Sequence, residues 1–374
     1  MALRLIWYFA APSSPFGYGV VTREICSRMI KDGHDVKVAT RAFFGPPRDD
    51  LGIPTFSGVN SGLVQYVSDT ERTDYIFMTK DPYQHPVSFN NWVACAAFDF
   101  EFLYSDMISQ FTRSKAQFCV SQHNLKEMER VGFKPNFAPW GVDTNFYKKD
   151  IGARKRFRDR LGLSEETFII GEIGSNLKDD RKNYINMIKA FQRFNASHEN
   201  IALYLHTDVI GAGCIPLQGI ATRTGLGDKI FWVDQCKFHK YSATNEDIKE
   251  FYNGIDVLCQ PFKGESFCLP LLESQACETP VIATGTTAGE ENTKIGWVIP
   301  VDDDDYEWLE FGSWNAVVRP IKICNELESA YRVWESGGMK KLGKVARERV
   351  LDSDWDIVYN RYWRPFLKSL EEAK

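Results

Sequence analysis

Short runs of β-branched and aromatic residues alternate with amphipathic segments along almost the whole of this 374-residue chain. In the first half, runs typical of strands cover Leu3–Ala10, Val36–Thr40, Tyr75–Thr79, Val93–Phe98 and Gln117–Val120. In the second half they cover Phe168–Ile173, Ala202–His206, Ile230–Val233, Val257–Pro261 and Val281–Ala283. Parallel strands need crossover connections long enough for a helix, so this alternation predicts an α/β fold with parallel sheets.

Two local patterns predict how the chain leaves its first strand and how it ends. Gly17 and Gly19 predict a turn that precedes a helix over Val20–Lys31. Near the other end, Trp355–Leu370 has apolar residues at helical spacing and predicts one helix.

The chain is too long for one ordinary hydrophobic core, and 44% of its residues are hydrophobic, which is enough for two cores. Residues 137–152 contain Pro, Gly and Asp without a clear period and are typical of a linker. We therefore predict a Rossmann-like domain over 1–150, a second one over 151–352, and a final helix over 353–374 that packs back on the first domain. Open α/β sheets bind ligands at the carboxyl ends of their strands, so two facing domains predict a site in an interdomain cleft.

Composition excludes several classes of function. The net charge is -5 and no basic stripe is present, so we expect no nucleic-acid partner. The nine cysteines lack zinc spacing and are typical of reduced, buried thiols in a cytoplasm. Asp302–Asp305 is typical of a solvated loop, and we expect no metal site.

The sequence also bears on membranes and export. The apolar run Met1–Ala10 contains Arg4 and leads into Pro12, which predicts a first core strand rather than a signal peptide. No stretch approaches the roughly 20 apolar residues of a membrane span. A peripheral contact with a membrane is the one kind of membrane association that the sequence allows.

The segment from Glu265 to Glu273 contains the most informative motif. Pro270 suits the first turn of a helix, where its missing N–H would have no partner, so a helix is predicted to begin near Leu269. The backbone N–H groups before it could then cradle a diphosphate at the positive end of the helix dipole. They belong to Ser266, Phe267, Cys268 and Leu269. Glu273 could accept hydrogen bonds from ribose hydroxyls, and Glu265 could reach the sugar.

Here the sequence resembles the family-four group of retaining glycosyltransferases, which have the GT-B architecture. Glu265 and Glu273 match the family's Glu-x7-Glu motif, and Ser266–Pro270 stands for its Gly-Phe-Gly-Leu-Pro. Ala276–Ala283 stands for Ala-Cys-Gly-x-Pro-Val-Ile-Ala, and Gly141–Phe146 matches the segment at the domain junction. The resemblance covers most of the second domain and scattered points of the first.

The resemblance implies roles for further residues. Arg181 and Lys182 would neutralise the donor diphosphate, while Gly17 and Gly19 would let the backbone approach the donor. Asp99 stands near the place of an acceptor-side His and would orient the acceptor or the sugar, although a capping or turn Asp is an open alternative.

Two other positions bear on these roles. His85 is a second acceptor-side candidate, with a plain loop residue as its alternative. Ser175 replaces an Arg that many relatives carry, so Arg181 would act with Lys182 alone.

The activity that the resemblance implies is transfer of a hexose-type sugar, with retention, from a UDP- or GDP-linked donor to a glycan, lipid or small-molecule acceptor. It implies no metal or other cofactor. A nucleotide-sugar epimerase on the same fold, a glycosidase and a non-catalytic sugar-nucleotide-binding subunit are the alternatives. The oligomeric state is not predicted.

Overall fold

The computed structural model describes residues 2–14, 16–40, 52–57, 60–79, 89–209, 211, 213–239 and 244–374. It divides into two compact units. The first unit contains Met1–Trp140, Glu310–Ser313 and Trp355–Lys374, and the second contains Gly141–Leu309 and Trp314–Asp354.

The described strands, numbered in chain order, are β1 (Arg4–Phe9), β2 (Asp35–Thr40), β3 (Thr55–Ser57), β4 (Tyr75–Met78), β5 (Trp92–Ala96), β6 (Ala116–Cys119), β7 (Asn136–Phe137), β8 (Phe168–Ile173), β9 (Ile201–His206), β10 (Ile230–Trp232), β11 (Val257–Gln260), β12 (Val281–Thr284), β13 (Gly296–Ile299), β14 (Tyr306–Leu309) and β15 (Ser313–Ala316). Every strand that the sequence predicts is present, with ends displaced by at most two residues.

The described α-helices, also in chain order, are α1 (Gly17–Lys31), α2 (Ser61–Glu71), α3 (Ser105–Arg113), α4 (Gln122–Arg130), α5 (Ile151–Leu161), α6 (Tyr184–Asn195), α7 (Leu217–Thr224), α8 (Gln235–His239), α9 (Asn245–Gly254), α10 (Leu269–Ala276), α11 (Gly289–Asn292), α12 (Pro320–Glu335), α13 (Met339–Val350), α14 (Trp355–Val358) and α15 (Arg364–Glu372). A 3-10 turn covers Leu351–Ser353, and a π-helical turn covers Tyr359–Trp363. None of the helices in the described ranges is both long and apolar enough to cross a membrane.

The two units have parallel sheets that share the order of their first six strands. In the described part of the first unit the order is β3-β2-β1-β4-β5-β6-β7, and in the second it is β10-β9-β8-β11-β12-β13. In each sheet the first strand therefore lies beside the fourth, and the order reverses between them. This is the doubly wound Rossmann order. The predicted α/β fold class is confirmed. In such sheets ligands bind where the order reverses, which in the second unit lies after β8 and β11.

The core of the second unit follows from its helical and strand periodicities. The apolar strand β8 is buried, and α6 turns Tyr184, Met187, Ile188 and Phe191 towards the same core. This spacing of three and four residues gives the helix one apolar face. The N-terminus of α6 is thereby fixed beside the end of β8.

The C-terminal segment completes the core of the first unit. Trp363 is fully buried and packs at ring-centroid distances of 5.2 Å from Phe118 and 6.0 Å from Trp7. Its indole N–H donates to the carbonyl of Pro139 at 2.9 Å. These contacts place Trp355–Lys374 in the first unit.

The prediction of one helix over Trp355–Leu370 was wrong in detail. The helix is interrupted by the π-helical turn over Tyr359–Trp363. Pro365 follows directly and has no N–H to donate to the carbonyl of Arg361, so the regular ladder is broken at this point. An apolar period does not reveal such an interruption.

A buried ion pair fixes the starts of the two strands that flank the switch point in the second unit. The carboxylate of Asp256 accepts hydrogen bonds from Arg158 at 2.6 Å, from Arg154 at 2.9 Å and from the backbone N–H of Ile169 at 2.8 Å. Arg158 is 2% exposed and also donates to the carbonyl of Gly254. The beginnings of β8 and β11 and the helix α5 are therefore held by one carboxylate.

We expect Asp256→Ala to lower the free energy of unfolding by about 3 kcal/mol or more, because it leaves the buried Arg158 charge without its anion. Chemical denaturation measures this change. Glu165→Ala is the matched control, since it removes a partner of Arg154 that is 66% exposed, and it should cost less than about 1 kcal/mol. Equal effects of the two substitutions would contradict this account of Asp256.

Candidate active site

The helix α10 begins at Leu269, as predicted, with Pro270 in its first turn. Its N-cap residue, Cys268, has φ 65° and ψ 69°, a left-handed conformation that favours glycine. The family motif has glycine at this place. The preceding loop is held by a hydrogen bond from Asn292 to the carbonyl of Phe267 at 2.6 Å.

Glu265 lies at the centre of a cluster of charged side chains. Its Oε1 accepts hydrogen bonds from the ammonium group of Lys182 at 2.5 Å and from the guanidinium group of Arg181. Arg181 also donates to the carbonyl of Gly264 at 2.7 Å. Glu265 is only 8% exposed. Burial would raise its pKa, but the charges of Arg181 and Lys182 outweigh burial and lower the pKa to about 2.

Lys182 reaches Glu265 across a glycine. Gly174 follows β8 with φ 157°, and a Cβ atom there would lie 2.7 Å from Cε of Lys182. The carbonyl of Gly174 accepts hydrogen bonds from Tyr184 at 2.8 Å and Thr207 at 2.6 Å. A side chain at residue 174 would therefore displace Lys182 from its path.

Glu273 lies one turn inside α10 and is 8% exposed. Its Oε2 accepts a hydrogen bond from the hydroxyl of Tyr252 at 2.7 Å. Neither Glu265 nor Glu273 is a solvated surface residue, which removes the simplest non-functional explanation for their spacing.

The structure adds a carboxyl group that sequence reasoning missed. Glu172 lies on β8 and is 0% exposed. No described residue forms a hydrogen bond with either of its carboxyl oxygens. Burial raises its pKa well above the usual range, with Asp180 adding to the rise and Lys182 opposing it. A glutamate inside an otherwise apolar strand, Phe168–Ile173, was the available signal.

In the first unit, Gly17 and Gly19 lie in the first turn of α1, so the prediction that the helix begins only at Val20 was wrong. Glycine is a poor helix former, which misplaced the boundary. At Gly19 it has a packing role, because a Cβ atom would lie 2.2 Å from the carbonyl oxygen of Ser14.

Asp99 lies between two carbonyl groups that α4 holds. Asn124 donates to the carbonyl of Phe98 at 2.9 Å, and Nε2 of His123 lies 3.0 Å from the carbonyl oxygen of Phe100. The backbone on both sides of Asp99 is thus fixed by the first turn of one helix. His85 lies outside the described residues.

The structure brings Arg181, Lys182 and Glu265 into direct contact, and Ser266, Phe267, Cys268 and Leu269 lead from them into the helix that bears Glu273. Gly17, Gly19 and Asp99 belong to the first unit. In the described ranges, no three His, Cys, Asp or Glu side chains form a group that could hold a metal ion. The expectation that Asp302–Asp305 is solvated was wrong for Asp305, which is 4% exposed and pairs with Lys322.

Glu172 should make stability depend on pH. The folded protein retains the proton of this buried carboxyl at pH values where the unfolded chain has lost it, so its contribution to stability falls as pH rises above about 4.5. Glu172→Gln removes this effect. The variant should gain up to about 1.4 kcal/mol per pH unit over the wild type while the folded carboxyl stays protonated.

Denaturation curves at several pH values measure this difference. Glu166→Gln, at an exposed position, is the control and should follow the wild type. A difference between Glu172→Gln and wild type that does not change with pH would mean that Glu172 is ionised in the folded protein.

Comparison with known proteins finds a family model that matches part of the second unit. Residues 153–306 match the family model described as glycosyl transferases group 1. A D-inositol 3-phosphate glycosyltransferase of Geodermatophilus obscurus is 27% identical over 229 residues, which are 58% of this chain and 45% of that protein. The match thus spans less than half the length of this curated relative.

Solved structures resemble the whole chain. Sucrose-phosphate synthase of Thermosynechococcus elongatus superimposes with a TM-score of 0.74 and 15% identity, over 99% of this chain and 100% of that one. Anabaena HepE, in complex with UDP-glucose, superimposes with a TM-score of 0.71 and 14% identity, over 98% and 100%. At this level of identity the likeness shows the fold alone, and it confirms the GT-B architecture.

Proposed function

We propose that this protein, whose residues 153–306 match the family model described as glycosyl transferases group 1, transfers a hexose-type sugar from a UDP- or GDP-linked donor to a glycan, lipid or small-molecule acceptor, with retention of anomeric configuration. The observation that carries the proposal is the contact of Arg181 and Lys182 with Glu265 beside the N-terminus of α10. The anchored diphosphate and the sugar would thus meet fixed charges of both signs.

The two cations fit the needs of a departing diphosphate. Negative charge grows on the leaving group as the anomeric bond breaks, and charges already in place stabilise it without reorganisation. Arg181 and Lys182 would share their N–H groups between Glu265 and the diphosphate, and the N-terminus of α10 would add its dipole. These groups neutralise the diphosphate in a mechanism that we propose to be metal-independent.

The ionised state of Glu265 decides its role. With a pKa of about 2 the side chain is a carboxylate at neutral pH and has no proton to give. We assign it the electrostatic screening of the oxocarbenium-like sugar, not nucleophilic attack. The acceptor hydroxyl would attack from the face that the diphosphate leaves, and a diphosphate oxygen would take its proton. A glycosidase needs a protonated carboxylic acid beside the bond, which this state of Glu265 disfavours.

The remaining predicted residues keep the roles that the resemblance implies. Glu273, held by Tyr252, would accept hydrogen bonds from ribose hydroxyls. Gly17 and Gly19 would allow close backbone approach, and Asp99 would orient the acceptor. The hydrogen bonds from α4 on either side of Asp99 support a fixed position for its backbone.

Donor binding is tested by the thermal stability of the protein with a panel of nucleotides and nucleotide sugars. A ligand at 100 times its dissociation constant should add about 2.7 kcal/mol of stability. Glu273→Ala should abolish this gain for the ligand that binds. Tyr252→Phe is the matched control, because it keeps the carboxylate and removes only its partner, and it should reduce the gain less. If no nucleotide stabilises the folded protein, the proposed function is wrong.

We expect Glu265→Gln to lower kcat by roughly 10²- to 10³-fold, a loss typical of removing one fixed electrostatic group. Donor affinity should stay equal or increase, because Arg181 and Lys182 lose an anionic competitor for the diphosphate. Steady-state kinetics and a donor titration separate the two effects. Glu307→Gln, at a partly exposed partner of Lys263, is the control and should behave as wild type. An unchanged kcat in Glu265→Gln would remove Glu265 from the mechanism.

A further inference from the structure

Glu172 is an unusual carboxyl group in the core of the second unit. Over the described ranges, its side chain is the one carboxyl whose two oxygens are both buried without a hydrogen-bond partner. The other buried glutamates at the site, Glu265 and Glu273, each accept hydrogen bonds. An unpartnered buried charge is costly, and the cost falls when the carboxyl keeps its proton.

Several titratable groups from neighbouring elements interact electrostatically with Glu172. Cys259 lies beside it on β11, since Val257 pairs with Ile170 and Leu258 with Gly171. Tyr184, on α6, also interacts electrostatically with it. Asp180 and Lys182 act on it from the loop before α6.

Only one of these groups is a cation, and it belongs to the candidate active site. The charge of Lys182 favours an ionised Glu172, whereas burial and Asp180 oppose ionisation. The hydroxyl of Tyr184 donates to the carbonyl of Gly174 and is not aimed at Glu172. Glu172 and Lys182 are therefore linked through charge without a direct hydrogen bond.

The path of Lys182 explains why this matters. Its aliphatic chain crosses Gly174, two residues after Glu172, and its ammonium group ends on the ionised Glu265. Lys182 thus ends on one carboxylate and interacts electrostatically with a second carboxyl that has no hydrogen-bond partner among the described residues. A negative charge on Glu172 would compete for Lys182 with any anion that approaches from the site.

We propose that Glu172 is a positioning residue for Lys182: while protonated it leaves the ammonium group available to the donor diphosphate, and when ionised it draws that group towards the core and weakens diphosphate binding. This inference rests on the proposed function, in which Lys182 holds the diphosphate. The step is a simple proton equilibrium, in which the carboxyl releases its proton to the solvent as pH rises.

Linkage makes the effect reciprocal. If protonation of Glu172 strengthens diphosphate binding, then diphosphate binding must favour protonation of Glu172. Binding near the pKa of Glu172 should therefore take up protons. A residue that only filled space in the core would produce no such uptake.

The test uses inorganic pyrophosphate, which probes the diphosphate site without a choice of base or sugar. Calorimetric titrations of wild type and Glu172→Gln run from about pH 7 to about pH 10, above the pKa of about 6 to which burial raises Asp180. Titration of the pyrophosphate itself affects both proteins equally. The ratio of the wild-type Kd to the variant Kd should rise by about fivefold or more across this range, a coupling of ordinary size.

Proton uptake provides the second measurement. Titrations in buffers of different ionisation enthalpy should show uptake in wild type that Glu172→Gln lacks. Glu172→Leu, which is uncharged and suits the apolar core, should behave as Glu172→Gln. Agreement between the two variants shows that the effect comes from the lost carboxyl and not from a local defect of one variant. Glu326→Gln alters another carboxyl that acts on Cys259 and should behave as wild type.

The outcomes separate this inference from the proposed function. A Kd ratio that stays constant with pH, in variants that bind pyrophosphate, overturns the role of Glu172 and leaves the proposed function intact. If neither wild type nor the variants bind pyrophosphate, the proposed diphosphate site itself is wrong.

Discussion

The contact between one carboxylate and two cations joins two loops of the candidate active site in the second unit. Glu265 comes from the loop after β11, and Arg181 and Lys182 come from the loop after β8. The same loops are joined through the backbone, where the N–H of Lys263 donates to the carbonyl of Arg181 at 2.8 Å. The site is therefore assembled at the place where the strand order reverses, and its charges are oriented before any ligand arrives.

Part of this arrangement could be predicted because local residue patterns determine where strands and helices begin. The strands follow from β-branched runs and the start of α10 from Pro270. Arg181 and Lys182 were singled out by their resemblance to a family segment, and their direct contact with Glu265 was not predicted. Tertiary features were beyond such patterns. Glu172 is visible as a glutamate in an otherwise apolar strand, but its lack of a hydrogen-bond partner within the described part of the chain depends on the tertiary structure. The short edge strands such as β3 and β7 have too few residues to show a period. The predicted start of α1 was wrong because glycine has a low helix propensity, whereas close packing requires glycine at residue 19.

Two residues that depart from the motif this sequence resembles have left-handed backbones. Cys268 and Glu278 stand where the motif has glycine, and both keep left-handed backbones, with φ values of 65° and 62°. Such a conformation costs an ordinary residue about 1–2 kcal/mol. The carbonyl group of Glu278 also packs closely against α13, since a Cβ atom at Gly343 would lie 2.0 Å from its oxygen. Both positions therefore hold a backbone conformation that a glycine would adopt at lower cost.

The make-up of the first unit has a consequence for biosynthesis. Its core is closed by Trp363 and its neighbours, which are separated from Trp7 by the entire second unit along the chain. Domains generally fold in the order in which they leave the ribosome. Here the first unit cannot complete its core until residues 355–374 have emerged, although it is begun first. While the second unit is being synthesised, apolar core residues of the first unit therefore lack their C-terminal partners. In that period they are accessible to chaperones and to aggregation.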